Sequence, residues 1–373
     1  MKKKYLFLIL ALLVLFLSGS SLDYENIIEK QLETANKSEF SENLSERTNE
    51  ILRKIGFNEV SMESIKDLSL SDMLNLIYES FIHQIKEPIY AVAAILASGI
   101  ICAVAECFYD DFAQSKTVIN AVSAIAAASC ILIPMKNVIS FSGEVIKECS
   151  DFMLSFIPVY SSAVIASGYV SSAVGFRSLM LSASAVISNI ANDIVVPLIC
   201  IYFALCVAGT ISSVNINSIA KSVKSFATWV LTFSITVFSG IMGLGTIVAS
   251  SADGAFSKTA KFLIGSSIPV AGSFVSDALA SVKDCIGVTK NIMGVYAIIV
   301  IAAIFLPPLI NLISWRIFLS VSVGINSVLG NKNLSGLLSS ASCVIGIMLA
   351  LVSLTAIMFI FSITILLITA GGT

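Results

Sequence analysis

The sequence predicts an all-α, polytopic helical membrane protein with an N-terminal signal peptide and a small helical extracytoplasmic segment. Three observations predict this class. The 373-residue chain is 57% hydrophobic and 12% charged, whereas soluble domains are about half apolar and a quarter charged. From Ile89 onward only ten acidic residues remain, beside twelve Lys or Arg. The chain also opens with a basic and then apolar stretch that is typical of exported proteins.

Residues 1–20 have the layout of a signal peptide. Three lysines at positions 2–4 precede thirteen apolar residues, Tyr5 to Leu17, and small residues follow. Cleavage after Ser20 fits the preference of signal peptidase for small residues. A retained signal anchor is the alternative, although the apolar run is short for a membrane span. Either form places residues 21–88 outside the cytoplasm.

The exported segment, residues 21–88, is acidic and amphipathic. It holds fourteen acidic and seven basic residues, and its apolar residues recur three or four apart, as at Leu70, Leu74 and Ile77. This spacing predicts amphipathic helices. They form either a cap that rests on the membrane half or a docking face for another exported protein. The negative charge argues against anionic lipid and nucleic acid as partners.

The membrane half, residues 89–373, supplies about six to eight spans, because each crossing needs about 20 apolar residues. The first predicted span is Ile89–Phe108. Phe226 to Ser250 is another, and Leu334 to Ala370 is the last. The distribution of Lys and Arg does not fix the orientation of the spans.

Three features predict interruptions between spans. The charged strip 144–151, EVIKECSD, predicts an interfacial connection, after which residues 152–175 form one apolar stretch. The stretch 178–209 is too long for one crossing, and a polar cluster divides it. The adjacent Pro307 and Pro308 predict a further break.

Two proline-containing segments resemble each other and predict an internal repeat. Asp151–Gly168 and Lys261–Ala278 share a Phe start, an Ile-Pro-Val centre and a small-residue tail. Paired interrupted helices line the pathways of many transporters. A pathway lined by Pro158, Gly265 and Pro269 is therefore one hypothesis, and chance similarity is the other.

The polar cluster consists of Asn189, Asn192 and Asp193, which share one face of a continuous helix. An aspartate inside a membrane is a candidate functional residue. The alternative is a helix N-cap, because Asn and Asp are favoured there. Asp277, in the polar stretch that leads to the later spans, is a further candidate.

No residue pattern in the chain indicates an enzyme or a metal site. The sequence lacks a phosphate loop, H-E-x-x-H and G-x-S-x-G. His83 is the one histidine, so it cannot form a triad or a zinc site with another. The eight cysteines all lie in the membrane half and form no C-x-x-C pair. We expect no enzymatic activity, cofactor or metal.

The chain resembles the stage III sporulation protein AE family of endospore-forming bacteria. The resemblance rests mainly on Ser250–Val282, with its T-A-K-F-L-x-G, I-P-V-x-G and S-D-A elements. The N-x-x-N-D-I-V-V-P-L run at Asn189–Leu198 and the D-F-M-x-x-x-x-P run ending at Pro158 are two further matches. The layout agrees over nearly the full length, but the exported segment carries no matching motif.

The resemblance implies a part in the channel complex that joins the mother cell to the engulfed forespore. That complex resembles specialised secretion machinery and supports forespore development and late forespore transcription. The resemblance also implies a place in the outer forespore membrane, with exported and membrane proteins of the complex as partners, and it assigns no catalytic residues. An oligomer is compatible with this role.

Two other functions remain open from the sequence. A stand-alone secondary transporter or permease would also use the paired Pro-broken helices. An intramembrane hydrolase is a weaker reading, which would need Asp193 or Asp253 for cleavage.

Overall fold

The computed structural model describes residues 44–57, 70–108, 113–166, 169–211, 216, 218–240 and 272–369. Apart from short turns and ends these residues are helical, and no β-strand occurs among them. The predicted all-α class is confirmed. The predicted signal peptide, residues 1–20, and residues 21–43 of the exported segment lie outside the described residues.

The helices are numbered here in chain order over the described residues. They are α1, Glu46–Lys54; α2, Leu70–Phe108; α3, Ala113–Ala166; α4, Val170–Asn189; α5, Val196–Ile211; α6, 218–240; α7, Gly272–Val328; and α8, Lys332–Thr369. A π-helical segment, Ile190–Val195, connects α4 to α5 without a turn.

Five helical stretches of the described residues are long and apolar enough to cross a membrane. They are Ile77–Ala105, Val122–Ala166, Ala173–Thr210, Lys290–Val328 and Lys332–Thr364. The chain is therefore a polytopic helical membrane protein. At about 1.5 Å per residue, the shortest stretch exceeds the roughly 30 Å hydrocarbon core of a bilayer, so these helices tilt or project from it.

The predicted total of six to eight spans concerns the whole chain and stays a prediction. Helix α6 is not among the five stretches found in the described residues. The residues that complete its predicted span, 241–250, lie outside the described residues.

Prolines do not end these helices. Pro88, Pro134 and Pro158 lie inside α2 and α3, so the predicted segment boundary at Pro88 does not coincide with a helix end. The predicted break at Pro307 and Pro308 is wrong, because α7 continues through both. Their side chains are buried. Proline removes a helical hydrogen bond, but the helices packed around it sustain the helical path.

The charged strip 144–151 also lies within a helix, so the predicted connection there is wrong. Glu144 and Lys147 are exposed, whereas the apolar residues between and after them are buried: Val145, Ile146 and Cys149. Polar and apolar side chains thus alternate with the helical period. The charges occupy one face of α3 instead of marking a turn.

Helices α3 and α4 form an antiparallel hairpin. The turn lies between Ala166 and Val170, inside the stretch 152–175 for which the sequence predicts one uninterrupted apolar segment. Across the hairpin the Ser150 hydroxyl donates to the backbone carbonyl of Ser184 at 3.1 Å, with both residues buried. The small serines let the two backbones approach closely.

Helices α7 and α8 form a second antiparallel hairpin. Gly330 in its turn has φ +81°, a conformation that L side chains rarely adopt. Further along the hairpin the Arg316 guanidinium donates from Nη1 to the carbonyl of Ser342 at 3.1 Å. The predicted final helix is confirmed as α8, Lys332–Thr369.

Helix α2 packs parallel to α7 through side-chain amides. Asn311 Nδ2 donates to Gln84 Oε1 at 2.8 Å. About four turns further along both helices, Asn326 contacts Gly99, and Asn331 Nδ2 donates to the Gly99 carbonyl at 2.8 Å. The Gln84–Asn311 and Gly99–Asn326 pairs have the same sequence separation, 227 residues. The two pairs therefore fix the register of α2 against α7.

Helix α1 begins on a carboxylate of α3. The Ser45 hydroxyl accepts from Thr48 N at 3.2 Å and so caps the helix. The Ser45 backbone N–H and the Thr48 hydroxyl both donate to Glu148 Oε1, at 2.8 and 2.7 Å. The Arg47 guanidinium lies over the Phe141 ring, 4.2 Å from its centroid. The charged strip of α3 thus receives the start of α1.

The end of α1 and the residues that follow it contact α2 and α7. Phe57 is buried and stacks on Tyr296 of α7, with ring centroids 5.9 Å apart. Lys54 pairs with Glu79 of α2 at 2.9 Å. The hydrogen bond from Lys54 to Glu79 raises the pKa of Lys54, so the pair is present at neutral pH and is lost as pH rises through that raised pKa. Residues 44–57 therefore rest on α3 through Glu148 and on α7 through Tyr296.

Replacing Glu148 with alanine is expected to loosen α1. The change removes the carboxylate oxygen that accepts two hydrogen bonds, a loss of about 1.5–3 kcal/mol. In purified protein, trypsin cleavage after Arg53 should become at least about tenfold faster, because cleavage follows the population of the open form. Glu144→Ala, an exposed acid of the same strip, is the matched control and should cleave at the wild-type rate. Equal rates for the two variants would contradict the docking role of Glu148.

Alanine at Gly330 is expected to destabilise the α7–α8 hairpin by about 1–2 kcal/mol, the cost of a left-handed conformation for an L residue. Gly336 provides the opposite case, because it is helical and an added Cβ would meet open space. Gly336→Ala should therefore stabilise the protein by up to about 1 kcal/mol. Thermal unfolding in detergent measures both changes, and shifts of the same sign would refute this account of the turn.

Candidate functional site

The predicted polar cluster lies in the π-helical segment between α4 and α5. The N-cap interpretation is wrong, because Asp193, directly before Ile194, lies inside the helical segment Ile190–Val195, and Asn189 has helical dihedrals, φ −65° and ψ −46°, with no capping hydrogen bond. The predicted end of a helix at this point is wrong for the same reason. Single π-turns inside α-helices occur frequently at functional sites. The cluster therefore stays the leading candidate site from the sequence.

The three polar side chains of the cluster have different surroundings. Asn192 is half-buried, and its Nδ2 donates to the Ser188 carbonyl at 3.1 Å. Its Oδ1 lies against Gly143 of α3, where a Cβ would collide with it. Asn189 and Asp193 are exposed. Because a π-turn bonds residue i to i+5, it rotates the residues that follow, and only Asn192 is held against α3.

Asp193 lies within the candidate span Ala173–Thr210. Among the described residues it forms no salt bridge. No three His, Cys, Asp or Glu side chains of the described residues come together as metal ligands do. An exposed carboxylate at membrane depth faces either water or another protein. The role of Asp193 remains a prediction.

Pro158 lies elsewhere on α3, beside a stack of buried aromatic rings. Its carbonyl accepts from the hydroxyls of Ser161 and Ser162, each at 2.9 Å. The stack joins Phe152, Phe156 and Tyr160, whose neighbouring centroids are 5.4 and 5.3 Å apart.

Pro158 and the polar cluster do not meet. At 1.5 Å per residue, Pro158 lies about 22 Å along α3 from Gly143, and Gly143 is the residue that Asn192 contacts.

The second proline-containing segment falls mainly outside the described residues. Gly265 and Pro269 both lie outside the described residues. Asp277 belongs to α7, but its side chain is not among those described. The internal repeat and the pathway along it therefore stay predictions.

Sequence reasoning missed a basic groove between α6 and the α7–α8 hairpin. It singled out neither Lys224, which lies within α6, nor Arg316, which lies within α7. Both side chains line a cavity of about 830 Å³. A lone arginine inside an apolar stretch, here Lys290–Val328, is the sequence feature that points to this site.

Substituting alanine for Gly143 is expected to destabilise the protein by about 1–3 kcal/mol, the usual cost of overpacking. Removing the facing amide should compensate, so Gly143→Ala with Asn192→Ala is expected to recover most of the loss. Thermal unfolding of the wild type, both single variants and the double variant measures the coupling. Gly324→Ala, at a glycine with open space around it, is the control. Additive effects would show that Asn192 and Gly143 do not pack together.

Comparison with known proteins identifies the family. The family described as stage III sporulation protein AE matches residues 56–370. The chain is also similar to the stage III sporulation protein AE of Bacillus subtilis (strain 168), with 24% identity over 311 residues, which cover 82% of this chain and 77% of that protein. No solved structure is significantly similar to it. The family match extends from the end of α1 to the end of α8, and the chain therefore belongs to the stage III sporulation protein AE family.

Proposed function

We propose that this protein is a non-enzymatic membrane component of the sporulation channel between mother cell and forespore, needed for forespore development and late forespore transcription. The observation that carries the proposal is the family match over residues 56–370, which gives the chain a role in sporulation. The match includes all five described stretches that are long and apolar enough to span a membrane. A channel component of this kind acts through its contacts with partners.

The arrangement of α1 supports contact with exported partners. One face of α1 is buried on the bundle through Ile51 and Leu52. The other face exposes charged side chains: Glu46, Glu50 and Arg53. A helix anchored on one face and charged on the other can steer and orient a protein of complementary charge in the intermembrane space. On this proposal the chain lies in the outer forespore membrane, with residues 21–88 facing that space.

A stand-alone transporter remains the alternative. Its main support was the pair of broken helices, and the structure has α3 continuous through Pro158. The two functions differ in their dependence on partners. A transporter moves its solute when it is reconstituted alone in vesicles, whereas a channel component is inert without the rest of the complex.

Deletion of the gene in the native host is expected to arrest sporulation after engulfment while vegetative growth stays normal. A channel component acts only once the forespore is enclosed, so engulfed forespores should be seen by microscopy and a late forespore transcription reporter should stay silent. A wild-type copy at a second locus is the control and should restore both. Normal spores in the deletion strain would refute the proposal.

Complementation of that strain also tests the pathway hypothesis. Pro158→Ala and Pro269→Ala, alone and together, should lower spore yield if the two segments line a pathway that depends on their kinks. Pro134→Ala, at another proline of α3, is the matched control. Wild-type spore yield from the double variant would remove the main support for the pathway.

A further inference from the structure

A groove with a basic lining lies between α6 and the α7–α8 hairpin. Its volume is about 830 Å³, and it is open on one side. Lys224 reaches it from α6 and Arg316 from α7, and none of its lining residues is acidic. Among the described residues neither base forms a salt bridge. Two cations thus face one cavity that no carboxylate of the described residues lines.

The position of Arg316 is fixed by its contacts. Nη1 donates to the Ser342 carbonyl at 3.1 Å, and the guanidinium lies against Gly346, where any Cβ would collide with it. One donor is therefore used by the protein, and no other hydrogen bond joins the guanidinium to a described residue, so its remaining N–H groups can donate to a ligand. A guanidinium presents paired donors that match the oxygens of a phosphate.

The rest of the lining has a polar and an apolar part. Four serines line the groove together with the two bases: Ser320, Ser339, Ser342 and Ser353. Leu231, Val323 and Ile347 are among its apolar residues. Hydroxyls add hydrogen bonds to a bound anion, and apolar walls suit a hydrocarbon chain. Basic pockets between membrane helices are a known form of lipid headgroup site.

We infer that this groove binds a phosphate group, held by Arg316 and Lys224. An anionic phospholipid or a free phosphate anion would supply that group. The apolar lining and the place of Arg316 inside the candidate span Lys290–Val328 favour the lipid. The inference does not depend on the channel role, because it rests on the groove alone.

Binding to the purified full-length protein tests the site. Two probes are used, phosphatidylglycerol titrated into the detergent-solubilised protein and followed by native mass spectrometry, and inorganic phosphate followed by thermal stabilisation. Phosphatidylglycerol is expected to bind, with Arg316→Gln and Lys224→Gln each weakening it at least about tenfold, since each removes one charge from the site. Lys221→Gln, an exposed lysine of α6 outside the groove, is the matched control and should bind like the wild type.

Each outcome decides the inference. Binding of lipid alone, with loss in both groove variants, supports a phospholipid site. Stabilisation by inorganic phosphate with the same dependence on the variants supports a free anion. Binding of neither probe, or equal binding by wild type and both groove variants, overturns the site. If Arg316→Gln does not fold, Arg316→Lys tests the same point, because it keeps the charge and loses the paired donors.

Discussion

The structure depends on one constraint, the need to satisfy backbone hydrogen bonds without water. In apolar surroundings each free N–H or carbonyl is costly, so a spanning segment must bond to itself along its length. Here the result is a set of helices that continue through prolines and a charged strip. Even the polar cluster at Asn189–Asp193 does not end its helix. The chain widens one turn into a π-segment instead, which keeps the backbone bonded while it rotates the residues that follow.

Apolar side chains pack against lipid as readily as against each other, so they do not by themselves determine which helices pack together. Specific helix pairing needs further contacts. Polar side chains that rest on glycines provide them in this protein. The pairs are Asn192 on Gly143, Asn326 on Gly99 and Arg316 on Gly346. Each pair requires a polar group and a missing Cβ at matching heights on two helices. If one helix slid by one residue along its neighbour, the polar side chain would face a residue with a Cβ instead of a glycine. These contacts therefore fix the register of the helix pair as well as its packing.

The same constraint shapes the two surfaces for which we propose binding partners. The charged strip of α3 anchors α1 through Glu148 and leaves the outer face of α1 charged. The groove beside α6 holds two bases among serines and apolar side chains. Both features are polar groups whose positions the surrounding helices fix. Family membership supplies the biological setting, and these surfaces supply the places at which a partner or a lipid would bind.

The sequence by itself determined the class, the membrane character and the family, because composition, apolar segment length and short motifs such as that at Asn189–Leu198 carry that information locally. It also located the final helix. It failed at Pro307–Pro308, at 144–151 and at the supposed cap before Ile194, since local preferences for breaks and caps are overridden when neighbouring helices pack around the segment. Only the tertiary structure decided which polar residues meet. Lys224 and Arg316 are distant in sequence, and no local pattern records that two helices turn both of them into one groove.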